Sequence, residues 1–480
     1  MALRVLLLAV CLAPSSLLAQ AEFRIYTDSP RIFLREDRLR RLQRDVERET
    51  SRWRGLADRL AQPGSLSEEP FALALAYQAR GDQALGRKAV EWALAKAGAA
   101  WTEPNDLRQA AIVFDWCGNL LSEAEKSRLI SSLARAAGDA SHLAGTELGW
   151  VRAGLMTSIA LGGEWEGSEE AIGRFLNGQW RSDIAPALLE GKLVDDAEKL
   201  VTLLEIAIAW RDNLESDLWK DAPRAFQSLP PSRLLSYYKP AIDSPEGLVR
   251  PPTILPPSAD PVRQAMFGRI AEMMLVAYDN SAPSAQFLQG WLRNDRFTLR
   301  GPYGAPYELL WLNRYLPGLS PNSAPPVAYD ELRGRVFGRQ GWDEGDLWIG
   351  YWDNRFHLLA DGELVAVSSA DKQAPLIFSG RAVVLPGEKY KTSLTVPIAV
   401  PPYGTSILLL GLDEDREYEV KTNRSKRRTY TPGPGGVIEV RNDAAVGTPE
   451  IDFEKKVRLE VRAGDKVERG GFRPTLGASK

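Results

Sequence analysis

The sequence predicts a two-domain α + β protein, with an N-terminal incomplete (α/α) toroid of paired helices over residues 22–326 and a C-terminal antiparallel β-sandwich over residues 330–480. Three observations carry this. Apolar residues recur at helical spacing from about Arg35 to Leu316, a Pro-rich linker LPGLSPNSAPPVAYDEL follows, and short β-type runs separated by Gly, Pro, Asp and Asn fill the remainder.

Residues 1–21 read as a signal peptide. MALR is a short basic start, VLLLAVCLAPSSLLA is an apolar run too short to span a bilayer comfortably, and Ala19-Gln20-Ala21 fits a small-residue cleavage site. The expected mature chain starts near Glu22 and is exported to the periplasm or the extracellular space. It keeps Cys117 alone, so it folds without an internal disulfide and relies on its core. No later apolar run is long enough for a membrane span.

In the helical part, EDRLRRLQRDVERETSRWRGLADRL sets Leu39, Leu42, Val46, Trp53 and Leu56 at three- and four-residue steps. EEPFALALAYQARGDQALGRKAVEWALAKAG reads as two helices joined at ARGD, with Gly81 stopping the first. Ser122 with Glu125 forms a capping-box signature ahead of SEAEKSRLISSLARAAGDA. GWVRAGLMTSIALGGE, DDAEKLVTLLEIAIAWRDNL and ADPVRQAMFGRIAEMMLVAYDN are apolar on more than one face, the mark of helices that bury two sides in a ring or solenoid. No constant repeat period appears, which favours an irregular ring. Beyond the linker, GDLWIGYWD, ELVAVSS, RAVVLPG, TSILLLGL, REYEVKTN, GGVIEVRN and KKVRLEVRAGD are strand-like runs that fit a sandwich.

The chain has 480 residues, 44% hydrophobic and 26% charged, a globular composition. A formal net charge of -3 argues against a general nucleic-acid binder, while leaving room for a local arginine group that holds an acidic polymer. There is no Walker loop, dinucleotide fingerprint, zinc-type Cys spacing or nucleophile elbow.

Several stretches together resemble the heparinase II/III family of polysaccharide lyases. PRIFLREDRLRRL is similar to that family's N-terminal start, HLAGTELGWVRAGLMTSIALGGEW to the helix after its His-bearing turn, and GRVFGRQGWDEGDLWIGYW to its sandwich entry. SSADKQAPLIFSGRAVVLPGEKY resembles its His-x-His-Ala-Asp segment with the histidines lost: Ala370-Asp371 is kept, and the histidine positions fall on Val367 and Ser369. The family's strand-closing aspartate falls near Pro386 and its His-Asn-Thr turn on Gly404-Thr405-Ser406. With each ligand position substituted, the resemblance implies no metal and no other cofactor.

The resemblance also implies β-elimination on a uronate-containing polysaccharide, which needs a base, a proton donor and a group to neutralise the carboxylate. His142 stands at the family's His-Asn turn with Leu143 in place of the asparagine, and LLEGKLVDDAEKL lacks the aromatic of the family's Gly-Tyr segment. The catalytic candidates are therefore His142, Tyr237 and Tyr238, and the substrate-binding candidates Glu147, Arg152, Arg355 and His357.

Each has a plainer reading. His142 could bond a helix end, His357 could be a strand or turn residue beside Asp361-Gly362, and Tyr237 and Tyr238 could pack beside Pro240. Trp311, Trp342, Trp348 and Trp352 could be a sugar platform or core. The basic run KTNRSKRRTYTPGPGG, with Arg424, Lys426, Arg427 and Arg428, could touch an acidic polymer or keep a sheet edge soluble. Three functions follow: a lyase on an acidic polysaccharide, a non-catalytic carbohydrate-binding or scaffold protein, and a helical-repeat adaptor.

Overall fold

The computed structural model describes residues 23–62, 64–194, 196–237, 242–243, 249–250, 261–278, 281–294, 304–313, 315–343, 345–360, 363–368, 374–397, 404–423, 426–441 and 456–467. The helical part comprises α1 (Glu36–Glu47), α2 (Ser51–Leu60), α3 (Glu69–Arg80), α4 (Gln83–Lys96), α5 (Pro104–Cys117), α6 (Glu123–Ala140), α7 (Leu148–Ala160), α8 (Ser168–Arg174), α9 (Ala185–Leu189), α10 (Ala197–Leu214), α11 (Pro223–Gln227), α12 (Leu229–Leu235), α13 (Pro261–Ala277), α14 (Pro283–Asn294) and α15 (Ala305–Trp311).

Local sequence sets these boundaries. Gly81 ends α3 in the left-handed region at φ 80°, a conformation that only glycine adopts freely. Ser122 accepts from the Glu125 amide while Glu125 reaches back to the Ser122 amide, a complete capping box on α6. Asp82 and Asp196 cap α4 and α10 in the same sense.

Packing makes a helical toroid. α3, α5, α7, α10, α13 and α15 each touch the next, and α1 and α2 connect α15 back to α3. α4, α6 and α8 lie outside as partners of the inner helices. Inner helices have neighbours on two or more sides, which is why α7 and α10 are buried almost all the way round. Phe71 of α3 stacks on Tyr307 of α15 at 4.9 Å, fastening the two ends of the inner circuit. Among the described residues no helix is long and apolar enough to cross a membrane.

Two short strands, β1 (Ile242–Asp243) and β2 (Val249–Arg250), pair within the helical part. The C-terminal part builds three sheets. The first is an antiparallel meander of β3 (Val327–Asp330), β4 (Arg335–Arg339), β5 (Trp348–Trp352), β6 (Arg355–Ala360) and β7 (Glu363–Val367). The second, in the order β14-β11-β9-β8, uses β8 (Leu376–Phe378), β9 (Arg381–Val384), β11 (Ser406–Leu409) and β14 (Ile438–Arg441). The third, in the order β10-β15-β12-β13, uses β10 (Lys389–Leu394), β12 (Arg416–Thr422), β13 (Arg428–Tyr430) and β15 (Val457–Lys466).

The antiparallel expectation holds except at β9 and β11, which run parallel. The sandwich is also a layer thicker than the usual two sheets. Val383, Leu385, Leu408 and Leu410 share a core with the first sheet, whereas Ala382, Val384, Ile407 and Leu409 share one with the third. Successive strand residues point to opposite faces, so the middle sheet is buried on both. This explains why AVVL and SILLLG are continuous apolar runs rather than alternating ones.

Helices and sheets meet where α12 packs on β3 and β4. Leu235, Ala328, Phe337 and Trp348 form a common cluster, the Trp348 indole N–H donates to the Leu235 carbonyl at 2.8 Å, and Arg339 donates to the Tyr237 carbonyl. Trp348→Phe would leave that buried carbonyl short of a donor, and we expect it to lower stability by roughly 1–3 kcal/mol in urea denaturation. An unchanged midpoint would show that this contact does not hold the two parts together.

Candidate functional site

A cleft of about 680 Å³ opens among the N-terminal ends of α5, α7 and α10. Its floor is a charged cluster centred on Glu205, which is fully buried in the middle of α10. Arg108 of α5 grips both carboxylate oxygens, Nε to Oε2 at 2.9 Å and Nη2 to Oε1 at 2.7 Å. Arg152 of α7 adds a 2.8 Å contact to Oε2, and Arg269 of α13 donates to Oε1.

The cluster continues sideways. Arg108 also reaches Glu68 at 3.3 Å and the Tyr307 hydroxyl at 3.1 Å, and that hydroxyl donates to Glu68. The Arg269 guanidinium lies over the Tyr307 ring, 3.2 Å from its centroid. Burial alone would push the Glu205 carboxyl up, but Arg108, Arg152 and Arg269 outweigh it and hold it down at about 2, against an ordinary 4.5.

Among the described contacts, three arginines meet two carboxylates, Glu205 and Glu68. Arg152 is the member that reaches out: its side chain is 12% exposed, against 1% for Arg108 and 2% for Arg269. Its Nε is buried with no hydrogen-bond partner. The rim has the opposite sign, with Glu103, Glu147, Asp196 and Glu198 around Lys199. Asp196 is occupied in capping α10.

A second cleft of about 870 Å³ runs alongside, between the end of α4, α6 and α7. It shares Glu147 and Trp150 with the first and adds Trp101, whose indole N–H donates to Ser132 at 3.1 Å. Trp101 and Trp150 are both partly exposed.

Of the residues singled out from sequence, Glu147 and Arg152 line the first cleft. His142 is exposed on the turn after α6 and is not among the lining residues of either cleft. That turn is held by Gln179, which donates to the Ala140 and Leu143 carbonyls, and by Asp183, which accepts from the Gly145 amide. Tyr237 is buried against Trp291 at the junction with the sheets. Tyr238 lies outside the described residues, as do Ser369, Ala370, Asp371 and Arg424.

Arg355 is exposed at the start of β6. His357, on the same strand, stacks on Trp352 with centroids 3.6 Å apart. Burial, then the Arg355 charge, push its imidazole down. Trp311 and Trp348 are core residues, and Arg427 of the basic run is paired with Glu419 and Glu460.

Sequence reading missed Glu68, Arg108, Glu205, Arg269 and Tyr307. The signal available was a charge inside an apolar run: Glu205 in TLLEIAIAW and Arg108 in DLRQAAIVF.

No protein-family model matches the chain, and no curated protein matches it. Among solved structures it is similar to heparinase III, at 10% sequence identity over 82% of this chain and 75% of that chain, with a TM-score of 0.36.

Removing the charge of Glu205 leaves three buried guanidinium groups without their shared acceptor. We expect Glu205→Gln to lose roughly 3–5 kcal/mol of stability. The acid limb gives a second check, because a depressed carboxyl contributes stability above its unfolded value and loses it as pH falls through the folded one. The wild-type protein should therefore shed stability between about pH 4.5 and pH 2, and in urea melts Glu205→Gln should lack that component of the loss.

Proposed function

We propose that this is an exported protein that acts on or binds a uronate-containing polysaccharide, held in the cleft at the N-terminal ends of α5, α7 and α10. The observation that supports it is the pattern of charge: one cationic point at the floor, presented through Arg152, inside a rim of carboxylates and one lysine. A guanidinium matches a carboxylate in geometry and charge. The rim groups Glu103, Glu147 and Glu198 are acceptors for sugar hydroxyls, and Trp150 offers a ring face beside them. Such a site favours isolated carboxylates among hydroxyl-rich sugars over a densely charged polymer.

Elimination on the bound uronate has one specific support, the Tyr307 hydroxyl hydrogen-bonded to Glu68 and Arg108 at the floor. A base removes the proton from the ring carbon that bears the carboxylate, a double bond forms between that carbon and its neighbour at ring position 4, and the bond from that neighbour to the glycosidic oxygen breaks as the oxygen takes up a proton. The alternative, a binding protein that has lost lyase chemistry, is favoured by the full burial of Tyr307. A hydroxyl with no exposed surface does not touch a ligand until the floor opens.

Affinity electrophoresis against a panel of uronate polysaccharides, run beside ultraviolet absorbance, separates these readings. We expect retardation by at least one polymer, and Arg152→Ala should weaken it by roughly tenfold to a hundredfold, the worth of a charge-assisted hydrogen bond, with Arg152→Lys losing less. Rising absorbance that Tyr307→Phe abolishes while retardation persists identifies elimination; retardation without absorbance identifies binding alone. A protein retarded by none of the polymers would overturn the proposal.

A further inference from the structure

At the opposite end of α10 from the cleft, a separate pocket of about 460 Å³ is framed by α1 and by the C-terminal ends of α10, α13 and α15. Arg38, Arg41 and Arg44 of α1 and Arg211 of α10 line it. Three of these guanidinium groups bond carbonyls: Arg211 takes those of Val276 and Ala277, Arg41 that of Leu310 and Arg38 that of Phe33. Helix C-termini carry partial negative charge, which accounts for cations at α13 and α15.

It does not account for how many there are. Asp212 is shared by Arg38 and Arg211, and Asp37, on the exposed side of α1, pairs with Arg40. Among the described residues Arg41 and Arg44 make no ion pair, and Arg41 Nε is buried with no hydrogen-bond partner. Asp45 also attracts Arg41 but is paired with Arg52, so among the described residues four arginines face Asp37 and Asp212, two positive charges more than the carboxylates. Burial and the neighbouring guanidinium groups push both Arg38 and Arg41 down, against the pull of Asp212 on Arg38 and of Asp45 on Arg41.

We propose that this pocket binds a phosphate monoester, a tetrahedral oxyanion that carries close to two negative charges at neutral pH, on a larger molecule. Two net charges match a dianion, and guanidinium forks suit its oxygens. The volume far exceeds that of the bare ion, and Tyr315, an exposed aromatic wall already within cation–π distance of Arg44 and Arg48, gives the rest of the ligand a surface. The site is independent of the cleft: Arg211 lies fifteen positions along the chain from the cap Asp196, roughly 22 Å at 1.5 Å per residue.

The test is calorimetric titration of the full chain with inorganic phosphate, inorganic sulfate and a hexose 6-phosphate, at constant ionic strength with chloride as balance. Saturable binding is required, because sulfate and phosphate also stabilise proteins non-specifically by exclusion from their surfaces. We expect saturable binding, tightest for the ester, and at least tenfold weaker in Arg44→Gln and Arg41→Gln. Arg44 is exposed, so Arg44→Gln leaves the fold intact even where Arg41→Gln, which loses a helix-end contact, does not. Arg152→Ala should leave the affinity unchanged. Absence of saturable binding, or equal affinity in Arg44→Gln and wild type, would overturn the proposal.

Discussion

The helical part of this protein is organised around one carboxylate. Glu205 sits midway along α10, fully buried, and accepts from arginines on α5, α7 and α13. Through Arg108 the same network reaches Tyr307 on α15 and Glu68 at the entry to α3, so every inner helix of the toroid contributes to it or adjoins it. A ring of helices closed by apolar packing alone could slide by a turn and still bury much the same surface. A bidentate arginine grip admits one register.

Such a cluster is a poor source of net stability. Desolvating several charges offsets much of what their attraction returns, and well-packed apolar residues would often do as well. Its effect is instead on uniqueness, since any arrangement that separates Glu205 from even one of its arginines strands a buried charge. The same arrangement produces the site. Arg152, the least buried of the three arginines, is the one that the cluster presents at the cleft.

Much of the architecture could be read from local pattern. Gly81 and the Ser122–Glu125 pair act within a few residues of themselves, so their sequence signatures carried over directly into helix ends. The β region was legible as strands for the same reason. The third sheet layer was not, because a doubly buried strand such as SILLLG has lost the alternation that would tell which face meets which neighbour. The floor of the cleft was still less accessible. Arg108 meets Tyr307 across 199 positions of chain, and no spacing rule connects them. What the chain does display is the anomaly of Glu205 within TLLEIAIAW, since a carboxylate flanked by apolar residues on every helical face must find partners. Arg152 and Glu147 were identified through a family resemblance, and nothing in their own surroundings distinguishes them from other polar residues on helix α7 and its preceding turn.

The two cationic sites then follow from one helix. α10 begins at the cleft, where Asp196 caps its first amides, carries Glu205 at its centre, and ends where Arg211 and the arginines of α1 gather over helix carbonyls. The positive end of its dipole adds to the floor of the cleft, and the negative ends of α10, α13 and α15 draw arginines to the far side. Arg38 and Arg211 share Asp212, whereas Arg41 is held by the Leu310 carbonyl, which carries only partial charge. A toroid whose inner helices run in the same sense as α10 therefore gathers arginines at its C-terminal face as a consequence of its geometry, and a surplus there becomes available to a ligand only where, as in this pocket among the described residues, the arginines outnumber the carboxylates.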